Sequence, residues 1–377
     1  MSLAASVAMA FTTAVFAQPE QWLQYHTSSE GRGFRWLELT TEAPAGVALP
    51  PVSGQAWFAH WQTPLDPQGR WICFDRTRRS GPHHRVFIDR SGDRRLAEEP
   101  PLDAARVDQY SASFDPVRLV FQGEDGPIIY HLALRFMRYG EGDARALVQS
   151  ACYYAGNVNF AGQQRVVTLI DANVNGTFND QAPNPADCDA IRLHGDPAGQ
   201  RILGRLLEVG DQFFALEVAQ DGAFLKVQLA QEVALGTVRV PDALSEIIAV
   251  GGPGHFLRQP VNGEFTLPVG QYRVHGWHMN RKDDQGADWT LRASGFGEFA
   301  NFEVTAEQPA AIDVGEPLLA ALTVTENRGG AAFDLQLKGR LGETVQLLKG
   351  DARPRPPRLH LASAGGSFRA AHTFEYG

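Results

Sequence analysis

Lysine, cysteine and long apolar runs are what this 377-residue chain has least of. Only 4 of its 34 basic residues are lysines, so arginine is the default cation throughout. A formal net charge of −9 argues against general nucleic-acid binding. Three cysteines, Cys73, Cys152 and Cys188, leave one unpaired if any disulfide forms. Beyond the first residues no run approaches ~18 apolar positions, so no membrane span is expected. Catalytic signatures are missing as well: there is no G-x-S-x-G elbow, H-E-x-x-H helix, P-loop or C-x-x-C.

What the chain does have is 44% hydrophobic residues, 38 glycines and 23 prolines, which suits packed cores joined by many turns. Runs such as FRWLELTT, QAWFAHWQ, RWICFDR, VRLVFQG, YHLALRFM and ACYYAGNVNF are of strand length and are separated by Gly, Pro and Asp. Helix signals are few; ALVQS and PDALSEI are the best of them. DQFFALEVAQDGAFLKVQLA predicts a hairpin with a two-residue turn at Asp221-Gly222. The fold class is therefore all-β, with two or three sandwich-like units and few short helices.

Ten residues carry the clearest chemistry. In DANVNGTFND, Asp171, Asn173 and Asn175 stand at alternate positions, Gly176 follows where a tight bend is needed, and Phe178 is placed to anchor the loop. Calcium takes six to eight oxygens, and this spacing aims several of them inward. Thr177 would add its carbonyl oxygen. The segment resembles the loops of EF-hand and dockerin proteins over these residues only. That resemblance implies a calcium site and a bidentate acid at the twelfth place, which here is Ala182. Asp180, Asp187 or Asp189 would have to supply that ligand from the proline-containing return. The competing reading is an Asn/Gly turn closing a hairpin by side-chain bonds. The strand RVVTLI leads in, so this loop is mounted on a β-scaffold. A weaker copy follows RVFID: Asp89 aligns with Asp171, Asp93 with Asn175 and Leu96 with Phe178. Arg94 takes the glycine place and Arg95 follows it, so this copy is expected to have lost its ion; Glu98 and Glu99 would be its ligands otherwise.

Met1–Ala17 is apolar and uncharged and ends Val15-Phe16-Ala17, which suits a signal peptidase and predicts export. Cys152 and Cys188 flank the ion loop; a bridge there would be worth roughly 3–4 kcal/mol, and the alternative is three buried thiols. Arg70 to Arg95 holds eight arginines, read as a solvated strand face. His275 and His278 face opposite sides of a strand and make a poor metal pair. Trp22, Trp36, Trp57, Trp61 and Trp71 either form a glycan-binding face or fill the first core. GEFTLPVGQYRV, Gly263 to Val274, resembles the prealbumin-like and carboxypeptidase-regulatory-like modules. That resemblance implies a structural or adhesive sandwich and no catalysis.

These readings divide the chain into a signal peptide at 1–17, a β domain with the loop repeat at 18–205, a prealbumin-like sandwich at 206–315, and Ig-like strands at 316–377. The expected function is a secreted, calcium-stabilised, non-catalytic β-protein with an extracellular glycan or protein as partner. The alternative is a secreted glycan or peptide hydrolase with loop-borne carboxylates.

Overall fold

A computed structural model describes residues 19–376, apart from 29–32, 78–81, 124–125, 141, 298–299, 328–329 and 351. Among these residues there is no α-helix, and the chain is built of antiparallel strands with helical turns such as Leu96–Glu98 and Pro185–Asp187. The proposed signal segment Met1–Ala17 lies outside the described residues. No helix among the described residues is long and apolar enough to cross a membrane.

Alternation of side chains explains the build. In the strand Ser111–Gly123, Val117, Leu119 and Phe121 point inward while Arg118 and Gln122 point out. The phase slips at Asp115-Pro116, which together oppose one residue of the neighbouring strand Gly126–Gly140. Proline has no N–H to give the ladder, so a bulge is where it fits. The two segments expected to be helical are strands instead. Ala146 and Val148 turn inward from Asp143–Ser150, which is held between Phe34–Leu37 and Gly126–Gly140. LSEI opens the strand Leu244–Gly251. Pairing on both sides outweighs a helix propensity spread over five to seven residues.

Two hydrophobic cores organise the molecule. The first draws on sheets from Gln21 onward and includes Trp57, Trp61, Phe74, Tyr130, Phe160 and Phe178. It extends to Val227, because Leu207, Phe214 and Leu225 pack into it and Phe224–Leu229 pairs with Gln21–Trp22. The strands from Leu206 to Leu229 thus pack one face into the first core, while Leu206 and Phe213 lie against the second. Their hairpin forms as expected between Gln212–Val218 and Phe224–Leu229, but its loop runs from Ala219 to Ala223 and is longer than two residues.

The second core gathers Val238, Phe256, Tyr272, Trp277 and Val345. In the Gly263–Val274 segment, the Tyr272 hydroxyl donates to the Pro268 carbonyl at 2.7 Å and ties the turn to the next strand. Thr344–Lys349 pairs with Asp288–Ser294, so part of the C-terminal region shares this unit's sheet. The units meet where Leu206 N donates to Pro253 O at 2.8 Å and Arg258 pairs with Glu208 at 2.6 Å.

All three cysteines are buried and free. The bridge expected between Cys152 and Cys188 is not formed. The Cys152 thiol lies against the backbone of His131, and that of Cys188 against Ala182 inside the return of the loop.

Candidate functional site

The strand Gln163–Ile170 runs into the first core and ends by delivering Asp171, which is fully buried. One Asp171 oxygen accepts from the Tyr130 hydroxyl at 2.7 Å and from Gly176 N at 2.8 Å; the other accepts from Asn175 N at 3.2 Å. The loop is thus wound around its first carboxylate. Asn173 Oδ1 accepts from Asn175 N at 3.0 Å, and Asn175 Oδ1 from Thr177 N at 2.9 Å. Gly176 has φ +97°, and a Cβ there would stand 3.0 Å from Thr63 Oγ1, so only glycine serves the bend.

Three outside groups fix the loop. Trp61 Nε1 donates to Val174 O at 2.8 Å. Phe178, the expected anchor, is buried edge-on to Tyr154 with centroids 5.2 Å apart. Its backbone N–H donates to Gln220 O at the tip of the Gln212–Leu229 hairpin, at 2.9 Å.

The candidate ligands divide into those brought together and one left outside. A single oxygen of Asp180 accepts from Asn173 Nδ2 at 3.2 Å, Asn175 Nδ2 at 2.8 Å and Thr177 Oγ1 at 2.6 Å. Asp189 is buried, and its oxygens accept from Ala172 N at 3.2 Å and Asp180 N at 2.8 Å. Asp187 is exposed and bonds Asn184; only its carbonyl oxygen reaches Asn173. Asp171, Asn173, Asn175, Thr177, Asp180 and Asp189 therefore form one constellation. Two members were not foreseen: Tyr130 and Trp61, which come from strands far away in sequence.

The electrostatics are unusual for a surface turn. Burial raises the Asp171 carboxyl to about 6, against the pull of Tyr130 and the loop amides. Burial also pushes Asp189 well above the ordinary carboxylate value, and the neighbouring charge of Asp171 adds to it. Among the described residues none of Asp171, Asp180, Asp187 or Asp189 has an ion pair with a basic side chain. Nor do three or more His, Cys, Asp or Glu side chains gather closely enough there to hold a metal by themselves. Any ion would need the amide and hydroxyl oxygens too.

The Asp89 loop repeats the winding and differs in its charges. Buried Asp89 accepts from Gly92 N at 2.7 Å and Arg94 N at 3.1 Å, and Arg94 holds φ +63° where the other loop has glycine. Glu99 accepts from Arg90 N at 2.7 Å and Ser91 N at 3.2 Å, while Glu98 pairs with Arg95 on the surface. The buried guanidinium of Arg70 lies beside Gly92 and pairs with Asp66 at 3.2 Å. A protein cation thus sits against this loop. Arg70 and Arg85, the latter paired with buried Asp75, are also not the solvated face expected of the arginine stretch.

The extra residue at His275 offsets strand alternation, so His275 and His278 both stand off the buried face rather than on opposite sides as expected, and His278 is turned to Glu246 at 3.1 Å. Trp57 and Trp61 fill the core, whereas Trp22 and Trp36 are exposed. Trp36, His60 and Trp71 line a groove of about 530 Å³ with Glu38 and Gln62; the His60 and Trp71 rings stack at 4.7 Å. Compared with known proteins, the chain matches no family model, no curated protein and no solved structure. The likenesses of the loop and of the Gly263–Val274 segment therefore rest on those residues alone.

Proposed function

We propose that this is an exported, non-catalytic β-protein, stabilised by calcium at the Asp171 loop and serving extracellular binding or cell-surface structure. One observation carries the reading: Asp171 and Asp189 are buried together with no basic partner among the described residues. Buried carboxylates without a cation are costly, and a divalent ion is the economical remedy. The donor set suits calcium, which prefers carboxylate, amide and hydroxyl oxygens. Asp180 occupies the point to which Asn173, Asn175 and Thr177 all turn. To present oxygen to an ion there, the two amides would have to release the Asn175 and Thr177 N–H groups that their Oδ1 atoms accept from here. Asp171, Asn173, Asn175, Thr177, Asp180 and Asp189 would hold it, and Asp187 would remain outside.

A glycan fits the groove of Trp36 and Trp71, since aromatic faces with polar neighbours suit sugar rings. The hydrolase alternative is weaker. The cleft beside the loop, about 630 Å³, is lined among the described residues by a single carboxylate, Asp189, whose oxygens are committed to backbone amides.

The test is calorimetric titration of chelator-treated protein with calcium. Saturation at a dissociation constant of about 10⁻⁴–10⁻³ M, lost in Asp171→Ala, is expected. No heat at millimolar calcium would reduce the loop to a turn.

A further inference from the structure

The 630 Å³ cleft lies between the two units, and a β-bulge shapes it. Leu244–Gly251 runs between Gly254–Arg258 and Gly270–Lys282; Val250 stands opposite both His255 and Arg273. Directly opposed residues share a sheet face, so His255 and Arg273 do. His275 is the extra residue where the register slips between Ile248 and Ala249. Bulges re-aim side chains, and this one sets the His275 ring 6.1 Å from that of His255. The facing wall comes from Arg201, Ile202 and the return of the ion loop.

The groups that face this space are donors. His255 is buried, and its Nδ1 stands 3.2 Å from Ile202 N, which can only donate. The ring hydrogen is therefore on Nε2. Burial, with His275 and Arg201 nearby, lowers its pKa to about 3, so the ring is neutral. Such a ring has no lone pair left at Nε2, which argues against a metal bridging the two histidines. Arg273 is anchored by Nη2, which donates to Phe296 O at 2.7 Å and Gly297 O at 3.5 Å. Among the described residues it makes no ion pair, and its Nε and Nη1 have no hydrogen-bond partner there. Arg201 is tied to Asp196 and to Glu208 O. Among the described residues one carboxylate, Asp189, lines the cleft, and it is turned to Ala172 N and Asp180 N. Among the described residues the cleft is thus a positive, donor-rich site in a chain of net charge −9.

We propose that this cleft binds the oxyanion of a small acidic sugar, held by Arg273, the Nε2–H of His255 and His275. Arginine's planar fork matches a carboxylate or sulfate. Phe296, Ser294 and Gln200 on the walls give a sugar ring both an apolar face and hydroxyl partners. The volume lies within the range of small-molecule sites. The inference rests on the binding reading above, yet its failure leaves the calcium titration untouched.

The experiment is calorimetry on the full chain in calcium, with glucuronate, glucose and sodium sulfate as probes. Glucuronate should bind, glucose should not, and sulfate should bind about tenfold more weakly than glucuronate. Arg273→Met should weaken glucuronate at least about tenfold, and Arg273→Lys less, because it keeps the charge and loses the fork. Since Arg273 also braces Phe296, melting curves accompany each variant. Exposed His275→Gln is the second variant and should weaken binding severalfold with an unchanged midpoint. Failure of both glucuronate and sulfate to bind at millimolar levels would overturn the proposal. So would binding that survives both Arg273→Met and His275→Gln. Sulfate as tight as glucuronate would overturn the sugar assignment.

Discussion

The paired carboxylates of the Asp171 loop make stability depend on pH in opposite senses with and without calcium. Without the ion, the folded-state pKa of Asp171 stands at about 6, against an ordinary value of 3.8. A carboxyl whose folded pKa is raised binds its proton more tightly in the folded state than in the unfolded one. Below the unfolded value both states are protonated and the shift costs nothing. As pH rises from 3.8 to about 6 the folded state loses ground, and above that the whole deficit is present. The rise from 3.8 to about 6, at 1.36 kcal/mol for each tenfold change in proton affinity, makes this about 3 kcal/mol. Asp189, raised by burial and by its neighbour, acts in the same direction. Calcium favours the charged forms, so bound ion should bring both pKa values below their unfolded values and make stability rise with pH. The assay is urea unfolding at about pH 5 and about pH 8, in chelator and in millimolar calcium. In chelator the midpoint should be higher at the acid end; in calcium, at the alkaline end. Asp171→Asn removes the charge and keeps the shape. In chelator near pH 8 it should gain on the order of 1 kcal/mol, after losing one acceptor of the Tyr130 and amide bonds. Calcium should no longer help it. A slope of the same sign in both media, or an Asn variant as calcium-sensitive as the parent, would refute the reasoning.

Three further outcomes follow from the same geometry. Gly176→Ala forces φ +97° on a residue with a Cβ that meets Thr63; a loss of about 1–3 kcal/mol is expected in thermal or urea unfolding. Thiol titration should find Cys73, Cys152 and Cys188 unreactive in the folded protein and all three reactive in denaturant, since each is buried and free; a count of one after unfolding would restore the bridge. Asp89→Ala should destabilise the fold by removing the acceptor of Gly92 N and Arg94 N, while leaving the response to calcium as in the parent, because Arg70 already lies against that loop.

Local chemistry was legible in the sequence wherever neighbours in the chain remain neighbours in space. The winding of the Asp171 loop is of this kind: Asp171, Asn173 and Asn175 bond to amides two to five residues on. The strand Gln163–Ile170 and the Phe178 anchor are equally local, whereas the bulge that turns His275 and His278 to the same face is not. Helix and strand were confused at ALVQS and PDALSEI because a five-residue propensity says nothing about the partners waiting on either side. Pairing between distant segments is hidden for a related reason. Gln21–Trp22 recruits Phe224–Leu229 across two hundred residues, and no local pattern announces that pairing.

Burial was the larger omission, and it decides the chemistry of both sites. An Asp in an Asn/Gly-rich loop is ordinarily a solvated turn residue. Asp171 becomes something else only because Tyr130 and Trp61, from distant strands, close over the loop and take it out of water. The cleft shows the same dependence more fully. His255 and His275 are twenty positions apart and do not even sit on adjacent strands; a bulge and an intervening Val250 bring them together. The tautomer that makes His255 a donor is set by Ile202, which belongs to the other unit. The chemical character of the site thus resides in how the two units dock, through the Ile202–His255 bond, the Leu206–Pro253 bond and the Glu208–Arg258 pair.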